Sequence, residues 1–96
     1  MAYRHIVLFR VHEDVAEAAV ARAIEELRAL GRLPGVTSWN VELSLDDRKG
    51  RVIVEDATFE DADAYRSFAE NSGHRRAGEL LREISDWWVG DYATPS

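Results

Sequence analysis

The 96-residue sequence predicts an α+β fold: a four-stranded antiparallel sheet built in the order βαββαβ, with helices on one face. Three observations lead there. The opening stretch alternates residue by residue, two later stretches repeat apolar residues at three- and four-residue spacing, and Pro34-Gly35 and Gly50 punctuate the chain between such runs.

Residues 2–11 form the first strand. Tyr3, His5, Val7, Phe9 and Val11 share one side, and Arg4, Ile6, Leu8 and Arg10 the other. Both sides are largely apolar, as expected of a central strand covered from both directions. His12-Glu13-Asp14 ends the run, and Asp14 with Glu17 forms a capping-box pattern for the first helix. Ala16, Val20, Ala23, Ile24, Leu27 and Leu30 make its apolar stripe, Gly31 suits its C-terminal cap, and Pro34-Gly35 stops it.

Residues 36–45 alternate on one side only and are expected nearer an edge; Asp46 to Gly50 is a hairpin connection. The third strand, residues 51–59, carries Glu55 and Asp56 in succession, so one acid faces each layer. Ala64, Tyr65 and Phe68 mark a second helix, broken at Asn71-Ser72-Gly73. His74 opens the next helical piece, with Ala77, Leu80, Leu81 and Ile84 inward, and residues 86–92 form the last strand before the chain frays. This order is the split βαβ, or ferredoxin-like, arrangement.

The length suits a single domain, residues 1–96, and the 46% hydrophobic against 31% charged composition suits a packed core. A net charge of −6 disfavours nucleic acid and anionic membranes as partners. No run approaches the roughly 20 apolar residues needed to span a bilayer, and the opening stretch alternates too regularly for a signal peptide, so a cytoplasmic location is expected. The absence of cysteine excludes disulfides and thiolate chemistry. So short a chain has helix enough to cover one sheet face but hardly two. A second copy is the economical cover for the other, and a homodimer is expected.

The run RHIVLFR at 4–10, LPGV at 33–36, TFED at 58–61, His74 after a short turn and GDY at 90–92 together resemble the stress-responsive A/B barrel (Dabb) family over nearly the whole chain. The resemblance implies a ferredoxin-like protomer that pairs sheet to sheet as a dimeric α+β barrel. That family includes plant stress proteins that assemble into oligomers, and a plant polyketide cyclase is similar to it in fold and length. The cyclase's two pocket histidines fall on His5 and His74. Its tyrosine falls on Phe68, which has no hydroxyl, and the family's His-Pro-Ala-His turn reads here as Asn71-Ser72-Gly73-His74.

The candidate catalytic residues are therefore His5, His74 and Glu55. An imidazole near neutrality can take a proton from carbon beside a carbonyl, and a carboxylate can orient that imidazole. In this scheme His74 is general base and acid, His5 orients it, Glu55 supports His5, and Tyr3 or Tyr65 donates to the enolate oxygen. Val7, Phe9, Ile24, Leu27, Phe68 and Leu81 would hold a small hydrophobic carbonyl substrate. The bland alternatives are a satisfied core histidine at 5, a helix-start histidine at 74, and a Glu55 ion pair with Arg51 or Arg4. Trp39, Trp87 and Trp88 read as ligand wall or as packing, and the adjacent Trp87 and Trp88 cannot both face one pocket. Arg75-Arg76 reads as an anion contact or a solvated face, and His12 as exposed. His5, His74 and Glu55 lack a recognisable ligand spacing, so neither metal nor cofactor is expected.

Two function classes follow. One is a cofactor-independent polyketide cyclase-like or lyase-type enzyme working by histidine acid/base chemistry. The alternative is a non-catalytic homo-oligomeric stress-type or ligand-binding protein, and a third is a cofactor-free monooxygenase of similar barrel fold.

Overall fold

The computed structural model describes residues 1–95. Its elements are β1 (Ala2–Val11), α1 (Glu17–Ala29), β2 (Val36–Leu43), β3 (Val52–Phe59), α2 (Ala62–Glu70), α3 (Ser72–Ile84) and β4 (Ser85–Thr94), with a 3-10 turn at Leu30–Arg32 after α1. The sheet order is β2-β3-β1-β4 and every neighbouring pair is antiparallel, the expected ferredoxin-like α+β arrangement with the first and third strands central.

The register assigns faces. Val7 pairs with Glu55 on one side and Val89 on the other, and Val41 pairs with Glu55, so these four project toward the helices. Val7, Phe9, Val11, Ile53, Ala57 and Phe59 bury that face against Val20, Ala23 and Leu27 of α1 and Phe68, Ala77 and Leu81 of the later helices. Phe59, Phe68, Ile53 and Leu81 are completely enclosed, each contributing about 1.5–3 kcal/mol by leaving water. The opposite face carries Leu8, Trp88 and Tyr92, which are 42%, 62% and 50% exposed. Asp56 also lies there, held by Arg4 through bonds of 2.7 and 2.9 Å.

Several local expectations are corrected. Asp14 does not cap α1: the N-cap is Ala16, which makes no side-chain bond, and Arg51 anchors the approach by donating to the carbonyls of His12 and Val15. Ala16 is accordingly exposed rather than part of the buried stripe. Gly31 is not a left-handed cap. It is small because Trp39 lies against it: a Cβ there would come within 2.6 Å of the indole, whose Nε1 donates to the Leu27 carbonyl in the last turn of α1.

The predicted break at Asn71-Ser72-Gly73 shrinks to a single residue. Asn71 is extended (φ −64°, ψ 138°), ends α2, and caps α3 by accepting from the Gly73 N–H, which places His74 inside the first turn of α3. β2 stops at Leu43 rather than 45, and β4 continues to Thr94 rather than fraying after Tyr92. Among the described residues, no helix is long and apolar enough to cross a membrane.

Candidate active site

His5 is buried in the middle of the sheet, and both its ring nitrogens are engaged. Its direct partner across the β1–β4 ladder is Asp91, and Nδ1 lies 2.7 Å from Asp91 Oδ1. Glu55, two residues along the neighbouring strand β3 from Ala57, the register partner of His5, sets Oε2 3.1 Å from Nε2. The Tyr3 hydroxyl donates to the other Asp91 oxygen at 2.7 Å. Tyr65 of α2 roofs the cluster, its ring 4.7 Å from the His5 ring and stacked on Tyr3 at 4.6 Å.

With a carboxylate at each nitrogen, His5 carries hydrogen on both, as an imidazolium. Burial is the strongest single influence and pushes its pKa down. The hydrogen bonds to Glu55 and Asp91, with the attraction of the two charges, outweigh it and raise the pKa above the usual 6.5. The Asp91 hydrogen bond, aided by burial, pushes Tyr3 up to about 12. Burial, then the charges of Asp91 and Glu55, also raises the pKa of Tyr65, so both phenols keep their protons at neutral pH.

His74 is separate. Its Nδ1 is 3.1 Å from the Ala69 carbonyl, an oxygen that can only accept, so Nδ1 holds the hydrogen and Nε2 is the basic nitrogen. Its ring packs on Phe68 at 4.9 Å. The expected His5–His74 dyad does not form, because two carboxylates occupy His5 and a backbone carbonyl fixes His74.

Both histidines nevertheless border one cavity of about 230 Å³ between the sheet and α3. Its polar end is His5, Glu55, Tyr65 and His74; its apolar walls include Val7, Phe9, Leu27, Leu81 and Trp87. Val89, 53% exposed, and Trp87, 37% exposed, place the mouth at the β4 edge. Gly78 of α3 also borders the space, and a Cβ there would meet nothing within 4 Å.

Of the expected ligand-holding residues, Val7, Phe9, Leu27 and Leu81 border the cavity. Ile24 does not: it lies on the flank of α1, in a separate groove with Leu43 and Arg51. Nor does Phe68, which is enclosed behind His74 against Trp39 and Phe59. The tyrosine that borders the cavity is Tyr65, one helical turn earlier on the same helix.

Glu55 does not pair with Arg4 or Arg51, which bind Asp56 and the backbone. Trp87 faces the cavity, and its neighbour Trp88 points to the open sheet face. Asp91 makes the shortest contact to His5 and is the residue that reading the sequence missed. It sits inside the GDY run, but its role depends on the β1–β4 register. Among the described residues, no group of three or more His, Cys, Asp or Glu is placed to hold a metal ion.

Comparison with known proteins places this geometry in context. The chain is 30% identical over 93 residues to an uncharacterized protein of Streptomyces coelicolor, covering 93% of this chain and 96% of that protein. A dimeric ferredoxin-like protein of unknown function from Thermobifida fusca superposes with a TM-score of 0.88 at 23% identity, over 98% of this chain and 92% of that one. SnoaB, a cofactor-independent oxygenase from Streptomyces nogalater, superposes with a TM-score of 0.78 at 23% identity, over 99% and 94% of the two chains. At such identities the structural likeness is one of fold. The family match extends over residues 3–94, and by it the chain belongs to the Stress responsive A/B Barrel Domain (Dabb) family.

Proposed function

We propose that the protein is a cofactor-independent enzyme of polyketide cyclase-like type, moving a proton on a small hydrophobic carbonyl compound with His74 as general base and acid. The observation that carries this reading is the tautomer of His74: the Ala69 carbonyl holds Nδ1–H and leaves Nε2 as the basic nitrogen of a ring that borders a mostly apolar cavity. Nε2 takes the proton from the carbon beside the carbonyl, and the electron pair of that C–H bond moves onto oxygen as an enolate. Tyr65, kept protonated by burial, is the donor placed for that oxygen, since the Tyr3 hydroxyl is committed to Asp91. The imidazolium then returns its proton to oxygen or to carbon, after ring closure or a related rearrangement. His5, with both nitrogens taken, is not the base; with Glu55 and Asp91 it forms the rigid polar floor.

Two copies paired through the open sheet face form the working assembly in this reading, because Leu8, Trp88 and Tyr92 stand there as large exposed apolar side chains. The fold shared with a cofactor-independent oxygenase favours a second reading, in which the same enolate reacts with dioxygen.

The test is deuterium exchange at the carbon beside the carbonyl of phenylacetone in heavy water. Wild-type protein is expected to accelerate exchange, and His74→Ala to remove about 100-fold or more of that acceleration. Exchange no faster with wild type than with His74→Ala would reject the catalytic reading. Product analysis under oxygen and under nitrogen separates rearrangement from oxygenation.

A further inference from the structure

We infer that the cavity selects uncharged ligands and rejects carboxylates, and that Glu55 is the residue that sets this preference. The inference rests on the reading of the cavity as a ligand site. Glu55 is 3% exposed and stands in the cavity wall on the central strand β3. The nearest cation is His5, and its charge is shared: Asp91 holds one nitrogen at 2.7 Å and Glu55 the other at 3.1 Å.

Two carboxylates thus face one imidazolium. With His74 in the unprotonated form a base requires, the polar end keeps one uncompensated negative charge. The remaining neighbours do not cancel it. Tyr3 gives Asp91 a neutral hydroxyl, Tyr65 is a neutral phenol, and among the described residues no Lys or Arg borders the cavity.

The arginines nearest in the strands are turned away. Arg4 is on the opposite sheet face with Asp56, and Arg51 is spent on two backbone carbonyls at the entrance to α1. An acid entering the cavity would bring a second buried negative charge next to Glu55 without a counter-ion, in a setting where water screens poorly. A ketone or ester of the same shape meets no such opposition, and its carbonyl oxygen can accept from Tyr65. The consequence is a defined substrate class: neutral carbonyl compounds, with free acids excluded whatever their hydrophobic shape.

The experiment compares phenylacetone with phenylacetate, near-isosteres of opposite charge class, by NMR-detected binding to the wild-type protein at pH 7.5. The ketone is expected to bind at least about tenfold more tightly than the acid. In Glu55→Gln the gap should narrow to about threefold or less, through the acid gaining affinity rather than the ketone losing it. Asp91→Asn removes the second carboxylate and should narrow the gap in the same direction, which keeps the test decisive if the first variant does not fold. Acid binding within twofold of the ketone in the wild type would overturn the inference. So would an unchanged gap in a folded Glu55→Gln protein. Binding of neither probe would overturn it together with the ligand-site reading. A preserved charge preference with no catalysed exchange would leave the selectivity standing and remove only the proposed chemistry.

Discussion

His5 Nδ1 and Asp91 Oδ1 lie 2.7 Å apart across the β1–β4 ladder, where the two residues are direct register partners although 86 positions separate them in the chain. The first and last strands are thereby tied by a part-buried charge pair as well as by their backbone ladder. Because the same imidazole also faces Glu55 on β3, one side chain links three adjacent strands.

Asp91→Asn should therefore destabilise the protein by about 2 kcal/mol, a fall in Tm on the order of 10 °C, because it weakens a charge-assisted bond to a buried cation. Asp56→Asn is the control. Its ion pair with Arg4 is on the open face with both side chains about one-third exposed, and removing it should cost about 1 kcal/mol or less. Thermal unfolding of the two variants checks the order, and equal losses would contradict the greater weight given to the bond on buried His5.

The pH dependence has a definite sign. The folded-state pKa of His5 is raised above 6.5, so its contribution is fully present below about 6.5 and is lost as pH rises through the folded value. Stability in urea should decline as pH climbs above 6.5 through that raised folded value, well before Tyr3 titrates at about 12. Glu55→Gln removes one of the two groups that raise the pKa and should flatten that decline. A wild-type stability that rises across this window would contradict the assignment of His5 as imidazolium.

Gly78 sits in the interior of α3, where glycine costs about 0.5–1 kcal/mol relative to alanine. Since an added Cβ meets nothing, Gly78→Ala should stabilise by up to that amount and leave phenylacetone binding intact. Gly78→Leu should project into the cavity and weaken binding by roughly tenfold or more without unfolding the protein. Undiminished binding by a folded Gly78→Leu variant would mean that the ligand sits elsewhere.

The open face gives a separate prediction. The 10.9 kDa chain should sediment at twice its mass, and Trp88→Glu should shift it to monomer by replacing a large exposed apolar side chain of that face with a charge. A wild-type monomer at concentrations well above micromolar would remove the paired assembly from the account.

The sequence made β1 legible because side-chain alternation has a period of two, and for the same reason it required Glu55 and Asp56 to take opposite faces. The consecutive tryptophans 87 and 88 were separated by that rule as well, and the structure sends one to the cavity and one to the open face. What the sequence did not disclose depends on register and helical phase. Asp91 reaches His5 only because β1 and β4 pair in one particular alignment, which no local pattern encodes. Matching a family tyrosine to position 68 pointed to a residue enclosed in the core, whereas Tyr65, one turn away, meets the cavity. Ile24 belongs to the apolar stripe of α1 but lies on the flank turned toward the β2 edge. Gly31 looked like a helix cap because glycine commonly ends helices; here it makes room for Trp39, a contact between elements.

Two imidazoles divide the work in the proposed site, His5 locked as a cation and His74 presenting a free Nε2. Nitrogen-15 NMR of the labelled side chains at pH 7.5, with and without phenylacetone, reads both at once. The predicted result is two protonated ring nitrogens on His5, a single Nδ1–H tautomer on His74, and a ligand-dependent shift concentrated on His74 Nε2. A neutral His5, or a His74 spectrum unmoved by ligand under saturating conditions, would contradict it.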